Sequence, residues 1–165
     1  MRYQYVYAVY PRAYSKSFLS IMSLMIRCIL YPGAKLFITA GGKEQAASIL
    51  QSKVREICTL IPAFEREIDW SRGASREEKN SCRYVFKSGS VLDNLAARES
   101  TRGQRRHGGL IEEAAGVDGD ILQNVIIPVM AISRRCLDGT TQKDEQLNRS
   151  QVYITTAGYK NTFPY

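Results

Sequence analysis

A chain of 165 residues is long enough for one domain with a substantial core and too short for two. With 44% hydrophobic and 24% charged residues, it is a soluble globular sequence and not a disordered one. Its formal net charge of +7 admits nucleic acid or another polyanion as a partner without requiring one.

In chain order, residues 3–9 ("YQYVYAV") are β-branched and aromatic and predict a strand. The start "MRYQYVYAVYPR" lacks the apolar core and cleavage site of a signal peptide. From Ser17 the apolar positions Phe18, Ile21, Met22, Met25, Ile29 and Leu30 recur at helical spacing until Pro32-Gly33 stops the helix. Arg27 interrupts this window, which is too short to span a bilayer. "AKLFITA" predicts a second strand closed by Gly41-Gly42, and "KEQAASILQSKVREICTLI" a second helix ended by Pro62. This alternation implies an α/β fold with a mostly parallel sheet.

The middle is less regular. "DWSRGASREEKN" reads as a polar loop, and "CRYVFKSGSVLDNLAA" as a hairpin turning at Ser88-Gly89-Ser90. The basic run "RESTRGQRRHGG", carrying Arg98, Arg102, Arg105 and Arg106, leads into the apolar "LI" and then Glu112-Glu113. "GDILQNVIIPVMAISRRCL" predicts a helix that Pro128 kinks or splits. "GTTQKDEQLNRS" reads as a loop and "QVYITTAG" as a final strand. Cys28, Cys58, Cys82 and Cys136 form no CxxC pair. With the lone His107 they make no zinc set, so they read as reduced thiols. Trp70 and the tyrosines Tyr3, Tyr5, Tyr7 and Tyr10 read as packing residues, and His107 as structural.

Three strand ends carry candidate chemistry. "YPRAYSKSF" places Lys16 and Ser17 after a strand and at the start of a helix, where free N–H groups and the helix dipole favour an anion. Lysine there reaches outer phosphates and a serine hydroxyl can ligate magnesium. The strict phosphate-loop pattern has glycine where Tyr10 and Ser15 stand, and a serine-capped helix with a solvated lysine uses the same residues. Glu112 and Glu113 end an apolar run, where one carboxylate could hold a metal-bound water and the next activate an attacking water. An acidic pair opening a helix fits them as well. Thr155 and Thr156 end the final strand. Taken together, the three ends describe a nucleotide–magnesium site.

"PRAYSKSF", "STRGQRRHGGLIEEA" and "VYITTAG" resemble the variant Walker A, the arginine-glycine run into Walker B, and the coupling motif of the large subunit of tailed-phage terminases. The segment 31–57 resembles the region between Walker A and Walker B, so the likeness covers essentially the whole chain. The resemblance implies a P-loop NTPase domain over 1–165, three-layered α/β/α and of the additional-strand (ASCE) type. It implies that Pro11, Arg12, Ala13, Tyr14, Ser15, Lys16 and Ser17 bind ATP, that Ser17 and Glu112 hold Mg2+, and that Glu113 is the catalytic carboxylate. Thr155 and Thr156 would couple hydrolysis to movement, with Arg12 or a neighbouring subunit's equivalent of Arg102 as arginine finger. The implied partners are double-stranded DNA, the portal protein, the small terminase subunit and further copies in a ring, with no membrane, in the host cytoplasm.

Glu112 stands where this family usually has aspartate, and only ten residues precede Pro11. The chain is therefore expected to be a truncated ATPase domain without the nuclease domain. Helicase-like P-loop translocation, or an inactive prophage fragment that only binds, are the alternatives. Two geometric expectations follow from the resemblance and the site. The strand at 151–156 should lie between the first strand and the "GGLI" strand. Lys16, Glu112, Glu113 and Thr155 should converge with the N–H groups of residues 13–17, and Ser15 should turn its side chain away.

Overall fold

The computed structural model describes residues 4–157, apart from Arg72, Leu137 and Gln146; Tyr3 and the expected strand end at Gly158 lie outside the described residues. Strand β1 (Tyr5–Tyr10) leads through a short loop into helix α1 (Lys16–Leu30), then β2 (Lys35–Thr39) and α2 (Lys43–Leu60). Pro62 ends α2 and opens a short helix, α3 (Pro62–Glu67), at the first-turn position where its missing N–H costs nothing. A meander of β3 (Arg76–Glu78), β4 (Ser81–Val85) and β5 (Val91–Asn94) follows, then β6 (Gly108–Glu112). Helix α4 covers 119–129, two short strands β7 (Arg134–Arg135) and β8 (Thr141–Gln142) pair with each other, and β9 spans Ser150–Thr156.

Seven strands form one sheet in the order β1-β9-β6-β2-β5-β4-β3. Neighbours from β1 to β5 are parallel, and β4 and β3 add antiparallel at one edge. Parallel strands buried on both faces read as the short apolar runs seen in the sequence. One face buries Leu36, Ile38, Leu92, Leu110, Val152 and Ile154 against α1 and α2. The other buries Phe37 and Ile111 against α4 through Leu122, Ile126 and Val129. The fold is three-layered α/β/α with a mostly parallel sheet, and β9 is the additional strand between β1 and β6. That position matches the expectation.

Gly109 lets β6 run flush beneath an aromatic ring. It stands opposite Phe37, and a Cβ there would meet Phe37 Cε1 at 2.3 Å. The ring lies over the glycine and closes the core on the α4 side.

Several local expectations change. The stretch 69–80 is not all loop, because Arg76–Glu78 pairs with β4. The loop expected at 139–150 contains β8 and is fastened by Arg134, whose guanidinium donates to both carboxylate oxygens of Glu145 at 2.5 and 2.6 Å. The helix expected over 119–137 ends at 129, one residue past Pro128, and Arg134–Arg135 forms β7 instead. The run stays helical through a π-helical turn at Leu122–Ile126, which absorbs the break that proline makes in the hydrogen-bond ladder. Tyr10 packs on the core, whereas Tyr5 is 61% and Tyr7 44% exposed. Trp70 is half exposed and meets Tyr84 edge-on, with ring centroids 6.1 Å apart.

Candidate active site

The carboxyl ends of β1, β6 and β9 lie side by side, because the sheet order puts β9 between the other two. This is the edge at which open α/β sheets bind ligands. The loop from Pro11 to Ser15 is exposed and joins β1 to α1 there. Ala13 and Ser15 hold left-handed backbone, with φ of 63° and 52°, the conformation that a phosphate loop normally gives to glycine. Ser15 precedes α1 without a side-chain capping bond. Beyond the turn at Arg12–Ala13, the backbone N–H groups of Ser15, Lys16 and Ser17 make no hydrogen bond to another described residue. They remain available to an anion, and the dipole of a 15-residue helix adds to their pull.

Lys16 opens α1 and sends its ammonium across the strand ends. Its Nζ donates to Glu113 Oε1 and, at 3.0 Å, to Thr156 Oγ1. Thr156 Oγ1 also donates to Glu113 Oε1 at 3.3 Å. Glu113 sits just past β6 with φ of 49°. Three of the four non-glycine residues with positive φ among the described residues therefore belong to this site. Backbone strain of this kind, about 1–3 kcal/mol per residue, persists only where surrounding structure enforces it.

Ser17 Oγ donates to Glu112 Oε1. Glu112 is 1% exposed, and its other oxygen, Oε2, has no hydrogen-bond partner among the described residues. Burial raises its pKa, and Ser17 and Lys16 oppose that rise while Glu113 adds to it. A buried carboxylate oxygen without a donor is matched by a hard cation. The hydroxyl and carboxylate fit magnesium, which takes one or two protein oxygens and fills its remaining positions with phosphate oxygens and water. Ser17 and Glu112 are the residues that would hold it.

The structure brings Lys16, Ser17, Glu112, Glu113 and Thr156 together, and leaves Thr155 out. Thr155 was expected to face the site, but the strand alternates, so Thr155 is 2% exposed and its hydroxyl bonds the Thr156 carbonyl at 3.4 Å. Arg12 is exposed in the loop. Arg102 lies in the crossover before β6 and pairs with Glu99 at 2.6 Å. Arg106 is committed to a buried pair with Asp93 at 2.6 Å. His107 is structural: Nδ1 accepts the Lys35 N–H at 2.8 Å, and burial lowers its pKa to about 4. One polar group the sequence reading passed over is Thr39, whose buried hydroxyl also has no partner among the described residues. It ends β2 opposite Ile111, and its signal was a hydroxyl closing an otherwise apolar strand.

The fold has counterparts among solved structures. The large terminase ATPase domain of Thermus phage P74-26 superposes with a TM-score of 0.64 at 15% identity, covering 96% of this chain and 62% of that one. The large terminase of bacteriophage HK97 gives 0.64 at 14% identity, covering 93% of this chain and 29% of that protein. The large terminase of a thermophilic bacteriophage gives 0.62 at 8% identity, covering 93% and 34%. The chain thus spans less than two thirds of the isolated ATPase domain and about a third of the longer terminases. No family model and no curated protein matches it. Identities this low carry the fold alone: the chain has the fold of the ATPase domain of phage large terminases.

Proposed function

We propose that this chain is the ATPase unit of a phage large terminase, a Mg-dependent ATPase whose turnover drives DNA into a prohead. The observation that carries the reading is the meeting of Lys16, Ser17, Glu112, Glu113 and Thr156 from three separate strand ends at one edge of the sheet.

In this reading the N–H groups of Ser15, Lys16 and Ser17 cradle the phosphates and Lys16 neutralises their outer charge. Ser17 and Glu112 position magnesium, which supplies charge stabilisation at the phosphoryl oxygens when bound. Glu113 accepts the proton of the attacking water, and must leave Lys16 to do so. Thr156, bonded to both, couples their state to β9, with Thr155 beside it as the second residue of the coupling motif. Arg12 in the loop is an arginine-finger candidate for this site, and Arg102, exposed on the crossover, for a neighbouring copy's site. A ring of copies, portal protein, small subunit and DNA, in the host cytoplasm, are the partners and setting this reading brings.

The test is binding and hydrolysis of ATP by the purified chain with and without magnesium. Expected is magnesium-dependent binding that Lys16→Ala abolishes. Binding equal in wild type and Lys16→Ala would leave the loop a capped helix start. Binding without hydrolysis would favour a fragment that only binds. Hydrolysis stimulated by single-stranded nucleic acid and not by duplex would favour a helicase-like translocase.

A further inference from the structure

Arg27 is a buried cation that the candidate site does not use. It lies on α1, one helix length below Lys16, and is 6% exposed. No described carboxylate lies within ion-pair distance of it. Its Nη1 donates instead to Ser150 Oγ at 2.5 Å. Burial lowers its pKa from the usual arginine range, with Tyr31 and Cys28 opposing the fall. A buried charge without a counter-ion is costly, and an apolar side chain of similar volume often serves a core better. The sequence places an arginine here all the same.

Ser150 is the first residue of β9 and is fully buried. β6 holds it from the other side: Gly108 stands opposite, and a Cβ on Gly108 would meet the Ser150 carbonyl oxygen at 2.8 Å. α1 and β9 are thus joined by hydrogen bonds at both ends. Lys16 reaches Thr156 at the sheet edge that carries the candidate site, and Arg27 reaches Ser150 at the opposite edge. The two spans are similar. Lys16 to Arg27 covers about 16 Å of helix and Ser150 to Thr156 about 20 Å of strand, at ordinary rises per residue. Between the ends the packing is apolar: Ile21, Leu24 and Met25 of α1 belong to one cluster with Val152 and Ile154 of β9. Apolar packing is non-directional, so the polar bonds decide how helix and strand register.

We propose that Arg27 is a positioning residue for the candidate active site: through Ser150 it sets the register of α1 against β9, and so the meeting of Lys16 with Thr156 at the far end of both elements. That this meeting matters for catalysis rests on the proposed function; the register itself does not. With the base of β9 held, Thr156 stays beside Glu113 when a phosphate draws Lys16 away. Without the Arg27–Ser150 bond, the tip of β9 drifts from the carboxylate while α1 and its loop keep Lys16, Ser17 and the free N–H groups together.

The experiment compares wild type with Arg27→Met/Ser150→Ala, which removes both partners and so leaves neither side chain with an unpaired polar group. Amide hydrogen exchange is followed by NMR on the nucleotide-free chain, beside its melting temperature and the kcat and KM of magnesium-dependent ATP hydrolysis. Expected is about ten-fold faster exchange over residues 154–157, where the Ala157 N–H donates to the Tyr10 carbonyl at 3.3 Å, with β2 unchanged. The melting temperature should stay within a few degrees of wild type. kcat should fall about ten-fold with KM changed less than about two-fold, because the phosphate-binding groups remain on α1 and its loop. A purely structural role predicts instead a change confined to residues 148–151, or one spread evenly over the sheet with a matching fall in melting temperature. Either result, or an unchanged kcat in the variant beside an active wild type, would overturn the proposal. A wild-type chain that binds no nucleotide sinks the functional reading instead, and the exchange pattern then still decides whether Arg27 sets the register.

Discussion

Lys16 and Glu113, 97 positions apart in sequence, meet as an ion pair at the edge of the sheet, with Thr156 bonded to both. Under the proposed function, the cation assigned to phosphate and the base assigned to water thus hold each other. An incoming phosphate competes with Glu113 for Lys16, and wins only by replacing that pair.

Glu113→Gln should therefore do two things at once. A partly exposed ion pair contributes about 0–1 kcal/mol, so its removal should tighten nucleotide binding by about two- to five-fold. Loss of the proton acceptor should lower turnover by about 10²–10⁴-fold. Equilibrium binding of an ATP analogue beside a phosphate-release assay reads both. Weaker binding in Glu113→Gln would refute the competition.

Glu112 gives a stability prediction with a definite sign. Burial raises its folded pKa above the ordinary carboxylate value of 4.5, so the folded state holds the proton more tightly than the unfolded chain. Stability contributed by that proton is full below pH 4.5 and is lost as pH rises through the folded pKa. The ionised carboxylate is then a cost at neutral pH. Glu112→Gln should raise the melting temperature of the nucleotide-free protein by a few degrees while magnesium ceases to strengthen ATP binding. Calorimetry with and without magnesium separates the two effects.

His107 predicts the opposite slope. Its pKa is lowered to about 4 from 6.5, burial being the main cause, so the unfolded chain takes up a proton that the folded one refuses. Stability from this group is full above pH 6.5 and falls as pH drops toward 4. Denaturant unfolding across that window should show a dependence approaching one proton, and His107→Asn should remove it.

The Asp93–Arg106 pair predicts a non-additive loss. Removing one partner of a largely buried pair leaves an unpaired charge, a cost of about 3–5 kcal/mol. Arg106→Leu should lose about that much, and Asp93→Asn combined with it should recover most of the loss. Urea unfolding of the two single variants and the double one measures the coupling.

Much of this architecture was legible in the sequence because parallel strands and their crossover helices write strong local patterns. The apolar run of β2, the helical spacing of α1 and the proline after α2 all carried through. The position of β9 was not local information. It followed from the resemblance of "VYITTAG" to a coupling motif, since proximity in sequence gives no reason to insert that strand beside β1. Short elements such as β3 and β8 were missed because their polar, charged residues read as loop, and what orders them is pairing with a partner strand. Thr155 and Thr156 were both named for the site, and the convergence expected of Thr155 is made by Thr156. Alternation along a strand makes a one-residue error a change of face, and only the register with β1 and β6 fixes which threonine looks toward Lys16.

The place of β9 has a consequence for how the protein is born. A ribosome releases β1, α1 and β2 early, yet β1 cannot join β6 until residues 150–156 have emerged and slid between them. Until then β1 and β6 each present an open edge, and nothing holds Thr156 near Lys16. Such long-range closure makes folding slow and leaves unpaired edges exposed on the nascent chain. Competence to bind nucleotide should appear abruptly in a series of stalled nascent chains, only once the whole of β9 has cleared the exit tunnel.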